Sequence, residues 1–168
     1  DDLAVLTLIH DIGMVGIPDS ILTKVDAPLS ADEQEALKKH PEIGYRVAQA
    51  SIELAHVADG ILSHHENWDG TGYPQGLKGE EIPLIARIVA IVDAYDSMTA
   101  GRSYKAARSK KQAIGEIRRL AGTRFDPDLA EAFARVVSDD EGFRFVTDSR
   151  KRTSTSDGCD DNIGYHTS

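Results

Sequence analysis

The sequence predicts an all-α fold. Apolar residues recur at three- and four-residue spacing, the alternation expected of strands is almost absent, and helix start and stop signals punctuate the chain. Leu3, Val5, Leu6, Leu8 and Ile9 form an apolar helical run that ends near Gly13. It starts with no cap and no full polar–apolar pattern ahead of it, so the chain is expected to be a fragment of something longer. Gly16 and Pro18 mark Gly13–Asp19 as a loop. Ser30 and Glu33 match a capping box, and the helix they open is expected to run to about His40, where Pro41 interrupts or restarts it. Ile43 and Val47 then form an i, i+4 stripe, and Leu54, Ala58, Ile61, Leu62 and His65 recur at helical spacing. Asn67 to Pro83, rich in Gly and Pro, reads as a long loop. Leu84 to Met98 is apolar nearly all round, the mark of a central buried helix. Ser109 caps a helix carrying Ala113, Ile114, Ile117 and Leu120, closed by Gly122. Asp126-Pro127 is an N-cap and N1 pair opening a last helix with Leu129, Phe133 and Val137. After Val146 the composition turns to Ser, Thr, Asp and Gly. The expected domain is therefore residues 1–146, with 147–168 a disordered polar tail.

Composition narrows the function. The chain has 168 residues, enough for one domain and hardly for two, and 40% apolar residues can build a core. A net charge of −9 argues against gripping a nucleic-acid polymer or an anionic membrane, but a small anion held through metal ions stays open. One cysteine, Cys159, excludes an internal disulfide framework. No targeting signal or stretch long enough to span a bilayer is present, which makes the cytoplasm the default compartment.

Four of the six histidines sit in special places. His10 precedes Asp11 at the end of the first helix, His40 stands at a helix–proline junction, and His64 and His65 close the third helix. Asp93 lies within Ile88-Val89-Ala90-Ile91-Val92, where an unpaired carboxylate is costly to bury. Imidazole and carboxylate together suit first-row metals such as iron, manganese, zinc or nickel. Adjacent residues diverge along a regular helix but converge where the backbone leaves it. Taken singly, each residue has an ordinary explanation: a histidine at a helix end is commonly a cap, and Asp93 has Arg87 as a possible base. The combination favours a metal site. His56 and His166 are read as ordinary surface or capping residues.

The blocks His10-Asp11-Ile12-Gly13, His40-Pro41-Glu42-Ile43-Gly44, His64-His65-Glu66-Asn67-Trp68-Asp69-Gly70-Thr71-Gly72-Tyr73-Pro74, Ile91-Val92-Asp93-Ala94-Tyr95-Asp96-Ser97-Met98-Thr99 and Arg102-Ser103-Tyr104-Lys105 resemble, in order, the HD-GYP subgroup of HD-domain phosphohydrolases. The match runs from about Leu6 to Phe133. The resemblance implies an HD-domain-like helical bundle, apparently without its N-terminal helices. It also implies a metal-dependent phosphodiesterase that cleaves the second messenger cyclic di-GMP to pGpG or GMP. By position, Asp11 would bridge two metals, favoured as iron or manganese; His10 and Asp93 would serve the first, and His40, His64 and His65 the second. Arg102 and Lys105 match positions that contact substrate phosphates, so Asp11, Arg102 and Lys105 form the implied catalytic set. Tyr73, with Gly72 and Pro74, would shape a loop near the site that is also a possible surface for a signalling partner. Trp68 has two readings, stacking on a guanine or filling the loop.

Three departures accompany the resemblance. Ligands that the family carries ahead of His-Asp have no counterpart here; Met14 stands where a Lys is usual, and Ser103 where a Pro is usual. The first metal site would lack a protein ligand, and exposed apolar surface makes an oligomer possible. A degenerate module that binds cyclic di-GMP or a protein without cleaving it is therefore the alternative expectation, and a hydrolase of another nucleotide or phosphate ester is the third.

Overall fold

A computed structural model describes residues 2–24, 27–100 and 107–139. These residues form eight α-helices: α1 (Asp2–Ile9), α2 (Asp19–Leu22), α3 (Ala31–Leu37), α4 (His40–Gln49), α5 (Ala58–Ser63), α6 (Leu84–Thr99), α7 (Lys110–Arg119) and α8 (Pro127–Asp139). Three 3-10 turns, Ile12–Gly16, Ala55–Val57 and Gly79–Glu81, join them. Among the described residues there is no strand, only an isolated bridge between Ala121 and Phe125. No helix among them is long and apolar enough to cross a membrane. Arg102, Ser103, Lys105, Cys159, His166 and the boundary expected at residue 146 lie outside the described residues.

The expected helix signals act as read. Ser30 accepts a hydrogen bond from the Glu33 N–H, while the Glu33 carboxylate accepts from the Ser30 N–H. Ser109 and Gln112 repeat the arrangement at α7. Asp126 caps α8 by accepting from the N–H groups of Asp128 and Leu129. Its other oxygen lies 2.9 Å from Arg87, so a buried ion pair ties the start of α8 to α6. Asp93 is thus not the partner of Arg87.

Three local expectations need correction. The segment after His10 is not plain loop, because Ile12–Gly16 winds into a 3-10 turn and Asp19–Leu22 into one helical turn. The helix opened by Ser30 stops at Leu37, and α4 starts at His40 with Pro41 in its first turn, where the missing N–H costs nothing. In α4 the buried stripe is His40, Gly44 and Ala48, whereas Val47 is exposed. The small residues face inward because the Ile12–Gly16 turn comes so close to α4. A Cβ on Gly13 would stand 1.9 Å from the His40 carbonyl oxygen and 2.6 Å from the Gly44 nitrogen.

Helix α6 is central, as expected. Its Val89 packs with Leu6, Ala48, Val57, Ala58 and Ile61. Its Ile91, Ala94 and Tyr95 pack on the other side with residues of α7 and α8 around Phe125. Full burial of a side chain such as Ile61 contributes roughly 1.5–3 kcal/mol. The first cluster holds α1, α4 and α5 together against α6. Gly13→Ala should destabilise the protein by about 1–3 kcal/mol or more, since backbone opposes the new methyl group and cannot yield as a side chain would. Urea unfolding midpoints of the two proteins measure it, and an unchanged midpoint would contradict the close approach.

Candidate metal centre

Three histidines reach the site by the same local device. His10 follows α1, His40 follows α3, and His64 caps the C-terminus of α5. A helix end leaves carbonyl groups without intrahelical donors. In each case the imidazole Nδ1 turns back to the carbonyl three residues earlier: His10 to Thr7 at 2.9 Å, His40 to Leu37 at 2.8 Å, His64 to Ile61 at 2.6 Å. A carbonyl oxygen only accepts, so Nδ1 carries the hydrogen and donates, and the neutral ring presents a lone pair at Nε2.

Those Nε2 atoms converge on Asp11. One carboxylate oxygen lies 3.3 Å from His40 Nε2 and 3.6 Å from His64 Nε2, and the other lies 3.5 Å from His10 Nε2. His65 Nε2 stands 3.1 Å from His40 Nε2, which is 3.2 Å from His64 Nε2. Ligand atoms of Asp11, His40, His64 and His65 all fall within 4.8 Å of one another. Acceptor atoms this close repel unless a cation, a proton or a metal ion, lies between them. Neutral imidazole nitrogens and a carboxylate are a donor set for a divalent first-row metal, and the residues fit one. On the far side of Asp11, His10 Nε2 also lies 3.9 Å from Asp93. The structure thus brings together all six residues expected as ligands, with Asp11 between His40, His64 and His65 on one side and His10 and Asp93 on the other. Arg102 and Lys105 lie outside the described residues.

The titration of the site agrees with this geometry. Burial pushes the Asp11 carboxyl up, but when the facing Nε2 atoms carry protons, hydrogen bonding to His40 and His64 and the charge of His10 outweigh it and hold the group well below the usual carboxylate range. Burial, then the neighbouring His64 and His40, lower His65 to about 3, which keeps it neutral and able to ligate. Burial and the charge of Asp11 raise Tyr73 to about 12, so its phenol remains protonated.

Glu66 is a residue whose role the sequence reading missed. Its side chain is buried, and it accepts from the N–H groups of Gln75 (2.7 Å), Gly76 (3.1 Å) and Leu77 (3.1 Å). One carboxylate thereby gathers the loop that follows Gly72-Tyr73-Pro74. Gly72 lets that loop cross its own start, because a Cβ there would sit 2.3 Å from the Asn67 nitrogen. The result is a Tyr73 ring stacked on His65, with centroids 4.9 Å apart and planes 21° apart. An acid directly after two histidines, ahead of a Gly-rich loop, was the available signal. Trp68 is half-buried with the Arg87 guanidinium 5.8 Å over its ring, which favours the loop-filling reading. His56 is a surface residue 3.5 Å from Asp2, as expected.

The HD domain family model matches residues 1–129. A cyclic di-GMP phosphodiesterase of Thermotoga maritima is 40% identical over 153 residues, covering 89% of this chain and 39% of that protein. A cyclic di-GMP phosphodiesterase of Vibrio cholerae is 44% identical over 135 residues, covering 76% of this chain and 27% of that protein. The crystal structure of a cyclic GMP-AMP specific phosphodiesterase of Vibrio cholerae superposes with a TM-score of 0.62 at 25% identity, over 82% of this chain and 38% of that one. The class of protein is therefore a helical HD domain. Within it, the chain belongs to the HD-domain family, in the HD-GYP subgroup that its sequence blocks resemble. It spans well under half the length of the relatives it matches.

The low titration of His65 predicts an acid-side loss of stability. Between about 6.5 and about 3 the unfolded chain binds a proton at this imidazole that the folded chain does not. Its contribution is therefore fully present above about 6.5 and is lost as the pH falls towards about 3. Chelator-treated protein should melt at progressively lower temperature over that range, and His65→Gln should show a shallower slope. Equal slopes for the two would contradict the assignment.

Proposed function

We propose that this chain is the catalytic unit of a metal-dependent phosphodiesterase that hydrolyses cyclic di-GMP to pGpG or GMP. The observation that carries the reading is the convergence of the His40 and His64 Nε2 atoms on one oxygen of Asp11, with His65 Nε2 beside them, while its other oxygen faces His10. Two relatives that are cyclic di-GMP phosphodiesterases, 40% and 44% identical to this chain, support the substrate class. Asp11 would bridge two divalent cations, iron or manganese being favoured; His40, His64 and His65 would complete one site, and His10 with Asp93 would serve the other. Bound there, such cations would polarise a phosphodiester and supply a hydroxide nucleophile near neutral pH.

The chain's own residues hold this chemistry in place. Asp11 is half-exposed, so the ligand cluster has an open face from which a phosphate ester can enter. The Nδ1–H donations to Thr7, Leu37 and Ile61 hold three rings in the ligating tautomer. Tyr73, stacked on His65 and backed by the Glu66-bound loop, limits rotation of that ring. Arg102 and Lys105 remain in the proposal as phosphate-binding residues. The catalytic unit is taken to end at residue 146, and a cytoplasmic setting and a partner at the Gly72-Tyr73-Pro74 loop belong to the same reading.

A second reading, binding of cyclic di-GMP without cleavage, draws on one observation. Met14 places an uncharged thioether in the 3-10 turn directly after Asp11. The two readings separate in a turnover assay of manganese- or iron-loaded protein followed by chromatography of products: pGpG or GMP is expected, and tight binding with no product supports the second reading. Asp11→Ala and His64→Ala should each lower bound metal severalfold in elemental analysis, with unchanged helicity. Full metal content in both variants would overturn the ligand set.

A further inference from the structure

Two cavities lie along the exposed face of α6. One, of about 340 Å³, is lined by His64, His65, Tyr73 and Ala90. The other, of about 230 Å³, is lined by Asp93 and Ser97, one turn further along the helix, with Arg108, Glu116 and Phe125 opposite. Arg124 lines both.

Its backbone is pinned. The Arg124 N–H donates to the Leu120 carbonyl at 3.0 Å, and its own carbonyl accepts from the Trp68 N–H at 3.1 Å. Its guanidinium lies 5.2 Å over the ring of Phe125, which is almost fully buried. The other described arginines near it face carboxylates: Arg87 faces Asp126, Arg118 and Arg135 face Glu131, and Arg108, which lines the second cavity, and Arg119 face Glu116. Arg124 is exposed and, among the described residues, has no carboxylate within ion-pair distance. A fixed guanidinium at the seam of two cavities, in a chain of net charge −9, is placed to receive an anion.

We infer that Arg124 contacts substrate, and that it grips the phosphate of a cyclic dinucleotide that is not being cut. This rests on the proposed function. A cyclic dinucleotide carries two phosphodiesters; with one at the ligand cluster, the other half extends along the second cavity, past Arg124. The planar fork of arginine can donate two parallel N–H bonds to such a phosphate.

The test uses the full chain loaded with manganese, calorimetric binding of cyclic di-GMP, and hydrolysis of cyclic di-GMP and of bis(4-nitrophenyl) phosphate, which has a single phosphodiester. Arg124→Gln should weaken cyclic di-GMP binding and raise its KM roughly ten- to hundredfold, the size of a lost charged hydrogen bond. Bound metal, kcat and the rate on bis(4-nitrophenyl) phosphate should stay unchanged, and Arg124→Lys should restore part of the affinity. Unaltered affinity for cyclic di-GMP in Arg124→Gln overturns the inference, as does a parallel loss on both esters, which would place the effect at the metal centre. A metal-loaded parent chain that neither binds nor cleaves cyclic di-GMP would instead overturn the proposed function itself.

Discussion

The arrangement on which the rest of the structure depends is the crowding of imidazole Nε2 atoms around the Asp11 carboxylate. Nitrogens and oxygens that all carry lone pairs stand 3.1–3.6 Å apart, and among the described residues no protein donor is recorded between them. Such a cluster is unfavourable in itself and becomes favourable only around a cation. The bundle supplies what holds it: the apolar cluster of Leu6, Ala48, Ile61 and Val89 packs α1, α4 and α5 against α6, and the ends of those three helices carry His10, His40 and His64.

The helix ends also settle an apparent choice between two roles. A histidine after a helix is commonly a C-terminal cap, and a capping histidine is commonly not a ligand. Here each ring does both, because its two nitrogens are separate. Nδ1–H satisfies a carbonyl that the helix leaves unpaired, and that bond leaves the Nε2 lone pair free to face Asp11. The capping bond therefore selects the tautomer that a metal requires.

The loop after His65 adds a second layer of support. The Glu66 carboxylate is buried with no arginine or lysine partner among the described residues and is met by three backbone N–H groups, as a buried charge must be. Gly72 permits the close crossing, and Tyr73 is delivered onto His65. Gly-Tyr-Pro thus acts on the cluster through contact with one ligand ring, at a distance in sequence too short for a separate structural unit.

Much of this was legible in the chain itself. Periodicity, two capping boxes or caps at Ser30, Ser109 and Asp126, and the apolar run of α6 are local properties, determined by residues a few positions apart. The six ligand candidates were also legible, because histidine and aspartate at helix ends or within apolar runs are chemically out of place. The inward face of α4 was not, since Gly44 and Ala48 are buried by the approach of Gly13 from outside the helix, and an apolar count points instead to Ile43 and Val47. The partners of Asp93 and Arg87 were not legible either: across the bundle Asp93 faces His10 and Arg87 pairs with Asp126. The sequence by itself determined which groups are available and the local turns that aim them. Only the tertiary structure decided which of them meet, because hydrogen bonds and ion pairs act over a few ångströms, while the residues that form this site lie as far as 83 positions apart, from His10 to Asp93.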